Sequence, residues 1–253
     1  MAVTSMQSHL SQHESERIYS TILSKQLSPL NEYIHELPSV SLPTELFIAS
    51  CGYAFNPVMF PFWPILIYTL SYLELSSNAF AASPSEQNTW RGELASFQPE
   101  HGAVVNTAFY LTSVLITLAF TEIGKASFAT TRPLLPPDGY TTNDTWKRRY
   151  GKLVASLKSK HSFPSGDSAQ AMNLCMFLWR YVPVDTISDG ISLNLLLFGI
   201  FLPGVAFARV FYRCHWIEDC IGGILLSWVL HLALMPAIAT KITIVLAPWL
   251  TFI

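Results

Sequence analysis

From residue 44 onward the chain alternates long apolar runs with short polar ones. Leu46 to Leu73 carries no charge, but Pro57, Pro61 and Pro64 interrupt it. It predicts either one kinked span or a short helix followed by a longer one. Ala103 to Thr121 is uncharged and long enough to cross about 30 Å of hydrocarbon. Ser165 to Val182 is more polar at its start and ends near Arg180, which is placed to snorkel. Ile191 to Ala208 predicts a further span, and Cys220 to Thr240 another, kinked at Pro236. The last run, Ile242 to Ile253, is short for a sixth crossing.

The N-terminal segment reads differently. Ile18, Tyr19, Ile22, Leu23, Leu27 and Leu30 cover about half of a helical wheel, the pattern of an amphipathic helix lying on a membrane or of a soluble, fraying helix. Residues 1–40 contain no apolar run behind a basic start, so no cleavable signal peptide is expected. The fold class expected is therefore all-α: a polytopic membrane bundle of five to six helices over 44–253, behind a polar segment at 1–43. Residues 83–100 and 136–160 read as polar loops, the first acidic and the second basic. Counting the spans between residues 103 and 208 brings the ends that carry Lys125, Ser165 and His215 to one face.

Composition supports this class. Of 253 residues, 51% are hydrophobic and only 13% charged, about half the ~25% usual in soluble domains; mean hydropathy is +0.35. A net charge of −2 gives no general attraction to nucleic acid. The four cysteines lack metal-ligand spacing and lie among apolar residues, which favours small buried side chains over a disulfide or metal site.

Three polar clusters fall on the shared face. "KASFATTRP" separates Lys125 from Arg132 by six residues, "PSGD" places Pro164 to Asp167 at a helix start, and "RVFYRCHWIED" runs from Arg209 through His215 to Asp219. Each has an ordinary explanation alone: snorkelling cations, a turn with an N-cap, a surface hydrogen bond. Together they suit a phosphate. Lys125, Arg132 and Arg209 can neutralise phosphoryl oxygens, arginine doing so with several planar donors. Ser165 and the Gly166 amide sit where unpaired N–H groups favour an anion, and glycine leaves room for close approach. His215 and Asp219, one helical turn apart, would share a face, so that Asp219 holds one imidazole nitrogen and leaves the other as a nucleophile.

The order K-x6-RP, PSG, R-x5-H-x3-D resembles the type-2 phosphatidic acid phosphatase/haloperoxidase superfamily over about residues 103–236. Two positions depart from its pattern: Asp167 stands where that family has the histidine of PSGH, and Ala208 where it has serine. The resemblance implies a helical membrane domain that removes phosphate from lipid phosphates, with no metal and no cofactor; a poor acid at Asp167 would favour lipid diphosphates such as prenyl diphosphates, whose leaving group needs less protonation. His215 would form a phosphohistidine, oriented by Asp219; Lys125, Arg132, Ser165, Gly166 and Arg209 would hold the phosphoryl group. Asp167 inherits the position of the general acid. A carboxylic acid does that work only when protonated, which cations oppose and burial favours. His161 is an alternative acid.

The partners implied are a lipid substrate and the surrounding membrane lipids. A phosphotransferase with the same chemistry is a variant. A non-catalytic lipid-binding or scaffolding protein is the alternative from another class, and a transporter has little support, since His231 is the one titratable group in the middle of a span. Localisation in the endomembrane system or plasma membrane is expected. Orientation is pulled both ways. Residues 121–164 carry eight Lys/Arg against three acids, and 75–102 one Arg against three Glu, which favours a cytosolic site. The resemblance, and the glycosylation acceptor Asn143-Asp144-Thr145, favour a lumenal one.

Overall fold

The computed structural model of the protein describes residues 22–38, 40–78, 97–133, 161–182 and 192–250. Regular structure among these is entirely helical. Helix α1 covers Ile22–Glu36 and α2 Leu42–Tyr53; a short 3-10 turn at Pro57–Met59 then leads to α3, Phe62–Asn78. Leu46–Leu73 is thus a short helix followed by a longer one, because its three prolines fall between or at the start of helices, where a missing N–H costs least.

Helix α4, Pro99–Phe128, starts with Pro99 in its first turn and runs for 30 residues. It stops at Ala129, which adopts a left-handed conformation (φ 49°) and returns its N–H to the Lys125 carbonyl. Helix α5 is Gly166–Tyr181. A π-helical run, Leu195–Phe201, continues into α6, Leu202–Phe211, where Pro203 has no N–H to offer the Gly199 carbonyl. Helices α7, Ile217–Ala233, and α8, Met235–Leu250, meet at a 53° bend beside Pro236. The expected span Cys220–Thr240 is therefore broken at Leu234, and the apolar run after it belongs to α8 rather than to a separate sixth segment.

Among the described residues, α4 alone is long and apolar enough to cross a bilayer unbroken; α7 with α8 forms a bent second candidate. Helix length and composition thus support one crossing, or two. Ser165–Val182 becomes the centre of the bundle: every residue from Ser168 to Leu178 is buried, with α4, α6 and α7 packed around it. Arg180 at its end donates to the His231 carbonyl of α7 at 2.8 Å, a tie between helices in place of the expected snorkelling. His231 Nε2 meets the Asn173 side-chain oxygen at 2.7 Å, so a proton on Nε2 completes that bond. The four cysteines are free and buried.

Helix α2 is tied to α6 by polar contacts. Fully buried Glu45 accepts from the Tyr212 hydroxyl at 2.8 Å, and the Gly52 carbonyl accepts from Arg209 at 3.3 Å. Residues 1–21, including Ile18 and Tyr19, lie outside the described residues, as do most of the two polar loops with Asn143 and six of the eight loop cations.

Glycines set how closely α7 approaches the turn at 163–165. A Cβ on Gly223 would stand 2.3 Å from the Ser165 carbonyl oxygen and 3.1 Å from the Ala169 nitrogen. The nearest atoms to a Cβ on Gly222 would be those of the Phe163 ring, at 2.3 Å. Gly→Ala in an exposed helix gains roughly 1 kcal/mol from propensity, while overpacking costs typically about 1–3 kcal/mol. Backbone cannot rotate away and a ring can. Gly223→Ala is therefore expected to lower the thermal unfolding midpoint in detergent more than Gly222→Ala; equal midpoints would contradict the close approach.

Candidate active site

The site forms where the C-terminal ends of α4 and α6 meet the N-terminal ends of α5 and α7. Backbone hydrogen bonds join the three clusters: Ser162 N–H donates to the Thr130 carbonyl at 3.0 Å, and Ser165 N–H to the Asp219 carbonyl at 2.9 Å. Side chains reinforce the first junction, because the Thr130 hydroxyl accepts from Phe163 N–H at 2.8 Å and lies 3.0 Å from the Ser162 hydroxyl. Arg132 crosses to the third cluster, donating to the Cys214 carbonyl.

His215 does not lie on a helix. It occupies the bend between α6 and α7, its N–H donating to the Arg209 carbonyl at 3.1 Å. Its proximity to Asp219 therefore does not arise from a shared helical face, as the spacing suggested. Asp219 is in the first turn of α7, and its Oδ2 accepts from the Trp216 N–H at 2.9 Å, folding the carboxylate back over the helix start. That oxygen lies 3.5 Å from His215 Nδ1, a close approach without hydrogen-bond geometry.

The other ring nitrogen, Nε2, lies 3.3 Å from Arg132 Nη1. A guanidinium only donates, so Nε2 must present its lone pair and the proton belongs on Nδ1, toward Asp219. The imidazole is nearly inaccessible, at 2%. Burial, then the charges of Arg209, Arg132 and Lys125, hold it well below the ordinary histidine range, against a smaller opposing contribution from the Ser162 backbone. Both effects favour a neutral ring.

The remaining cluster residues surround it. Arg209 is buried, and its Nη2 pairs with Asp167 Oδ2 at 2.8 Å. Lys125 pairs with Glu122 one turn back at 2.5 Å, and its Nζ would lie 3.7 Å from a Cβ on Gly166, an ordinary contact distance that places the ammonium beside the turn. The Ser165 hydroxyl is turned away: fully buried, it caps α5 by accepting from Ser168 N–H at 3.4 Å and donates to the Ser168 hydroxyl at 3.1 Å. The Gly166 and Asp167 amides are left at the first turn of α5, where N–H groups have no partner within the helix. The residues that sequence reasoning missed are structural to the site. Glu122, Thr130 and Ser162 hide among ordinary polar positions, whereas Gly222–Gly223 within an apolar run was a readable sign of close packing.

A helical frame that buries a neutral histidine among three cations suits a protein that handles a phosphoryl or similar oxyanion. The sequence profile of the PAP2 superfamily matches residues 106–243, and the chain belongs to that superfamily. Its members are generally phosphatases, which supports phosphoester chemistry here at that level. Comparison with curated proteins and with solved structures returned no match.

Protonation of His215 gives a direct check. A folded-state shift downward means the ring stays neutral at pH 6, where an unperturbed histidine, titrating near ~6.5, is mostly charged. Nitrogen-15 NMR of histidine-labelled protein is expected to show the Nδ1–H neutral form at pH 6. Arg132→Met, which removes a cation, is expected to move the titration upward. A His215 titration at the ordinary value in the unaltered protein would contradict the electrostatic picture.

Proposed function

We propose that the protein is an integral membrane phosphatase that cleaves a lipid phosphate or prenyl diphosphate through a phosphohistidine on His215. The observation that carries this reading is the placement of buried His215 with Nε2 3.3 Å from Arg132 Nη1 and Nδ1 3.5 Å from the Asp219 carboxylate. Exposed apolar side chains support a membrane setting: Leu115 and Ile123 on α4, and Leu225, Val229 and Leu232 on α7, all lie at least half exposed.

The chemistry divides into two steps. His215 Nε2 attacks phosphorus, the bond to the leaving oxygen breaks, and Asp219 stabilises the positive ring through the Nδ1 proton. Lys125, Arg132, Arg209 and the first-turn amides of α5 take up the equatorial charge. Water then attacks the phosphohistidine, the P–N bond breaks and inorganic phosphate leaves. The leaving alkoxide of a monoester needs a proton, and Asp167 stands in the position to give one. Its carboxylate is engaged as an acceptor by Arg209, which makes it a poor donor. A diphosphate attacked at its terminal phosphorus expels the lipid monophosphate, a better leaving group than an alkoxide that needs less help, so diphosphates are the favoured substrates.

The same ion pair supports a second reading, a lipid-binding or scaffolding member with impaired catalysis, because Asp167 occupies donors of Arg209 that a phosphoryl group would use. Phosphate release from a panel of lipid mono- and diphosphates separates the two. His215→Ala is expected to lower turnover on the order of 10³-fold or more with the protein still folded in detergent; no release by the unaltered protein favours the scaffold.

Asp167→His tests the acid. General acid catalysis contributes about 10²–10⁴-fold, so the variant is expected to raise kcat/KM for a prenyl monophosphate relative to the matched diphosphate and to shift the pH optimum upward. An unchanged ratio and pH profile would remove Asp167 from the mechanism. For orientation we favour the lumenal side: a glycosidase-sensitive mass shift, lost in Asn143→Gln, is the expected result, and labelling of residues 134–160 by a cytosol-restricted reagent would exclude it.

A further inference from the structure

Helix α1 lies outside the residues matched by the superfamily profile, yet it is bonded to the loop that carries His215. Asn31, 2% exposed, makes two contacts there. Its Oδ1 accepts from Ile217 N–H at 2.9 Å, and its Nδ2 donates to Glu218 Oε2 at 2.9 Å. The amide orientation follows from the partners, since a backbone N–H only donates and a carboxylate only accepts. A turn earlier on the loop, Arg213 Nη2 donates to the His35 carbonyl at 3.3 Å, and the His35 ring packs on Trp216 with centroids 5.3 Å apart. Trp216 is held on its other side by its indole N–H, which donates to the Thr131 carbonyl next to Arg132. His215 is thus bracketed by residues anchored to α1.

The start of α7 explains why this matters. A helix leaves its first N–H groups without internal partners, and an N-cap Ser, Thr, Asp or Asn normally supplies one. The N-cap residue here is Trp216, whose side chain has no acceptor. The Trp216 amide is met by Asp219, and the Ile217 amide by Asn31, 186 positions away in the chain. The carboxylate that faces His215 Nδ1 therefore belongs to a helix start whose cap comes from another helix.

We propose that Asn31 is a positioning residue for the His215–Asp219 pair, an N-cap supplied in trans that makes α1 part of the catalytic apparatus. On α1 itself Asn31 and His35 are buried, while Leu30 is exposed. This rests on the phosphatase reading, and the test separates the two.

Asn31→Ala removes both bonds. Asn31→Asp keeps the acceptor for Ile217 but sets two carboxylates face to face, and Asn31→Asp with Glu218→Gln restores both bonds with donor and acceptor exchanged. Misplacing a reacting group by about 1 Å can cost on the order of 10²-fold. Asn31→Ala is expected to lower kcat about 10- to 100-fold, with KM and the inhibition constant of inorganic phosphate unchanged. The double variant is expected to recover most of the loss and the single Asp variant not.

Hydrogen exchange gives a readout independent of turnover. The His215 and Trp216 amides should exchange faster in Asn31→Ala and regain protection in the double variant. An unchanged kcat, a loss matched by weaker inhibition by inorganic phosphate, or a double variant no better than Asn31→Asp overturns the proposal. If the unaltered protein releases no phosphate, the phosphatase reading fails, and exchange alone decides whether Asn31 orders the loop: unchanged protection in Asn31→Ala overturns it.

Discussion

The site depends on one close junction, the hydrogen bond from Ser165 N–H to the Asp219 carbonyl. It brings the N-termini of α5 and α7 to the same place, so that unpaired amides, an acidic first turn and the bend carrying His215 face one small volume. Two glycines make the distance possible. Gly223 lets α7 touch the Ser165 backbone, and Gly124 on α4 leaves space for the ring of Pro164, whose Cδ would lie 2.7 Å from an added Cβ. A methyl group at either point would separate the clusters before any charged residue was changed.

Holding cations together in a largely buried place has an electrostatic cost, and the structure answers it with local counter-charges. Arg209 has Asp167, Lys125 has Glu122, and Arg132 has the Cys214 carbonyl and the His215 lone pair. Unpaired buried charge is expensive, whereas pairs that can be exchanged for a ligand keep the pocket stable and receptive. Asp167 then stands in for part of the charge a phosphoryl group would bring. Burial and the same cations favour the neutral form of His215. An incoming anion would oppose that effect and ease development of positive charge on the ring during attack.

Much of the site was legible because the chemistry is carried by residue types that are costly near a membrane. Lys125, Arg132, Arg209, His215 and Asp219 stood out from apolar surroundings at readable spacing, and the alternation of runs placed their ends together. The spans were less legible. Hydropathy alone does not distinguish a lipid-facing helix from a central one, and Ser165–Val182 is central, with Ser168 to Leu178 all buried. The kink expected near Pro236 is present as the 53° bend between α7 and α8, because a proline in the first turn of α8 has no N–H to continue the helix before it.

The linear pattern by itself determined the helical class and the three polar clusters, because periodicity, charge and spacing are local properties. Tertiary structure decided how those groups are used. It turned the Ser165 hydroxyl inward as a cap, moved His215 off the helix that spacing suggested, and assigned its proton to Nδ1 by setting Arg132 against Nε2. It also brought Asn31 to the Ile217 amide across 186 positions. Such contacts depend on directions in space between distant residues, and a pattern along one chain carries no information about which donor will face which acceptor once the helices have packed.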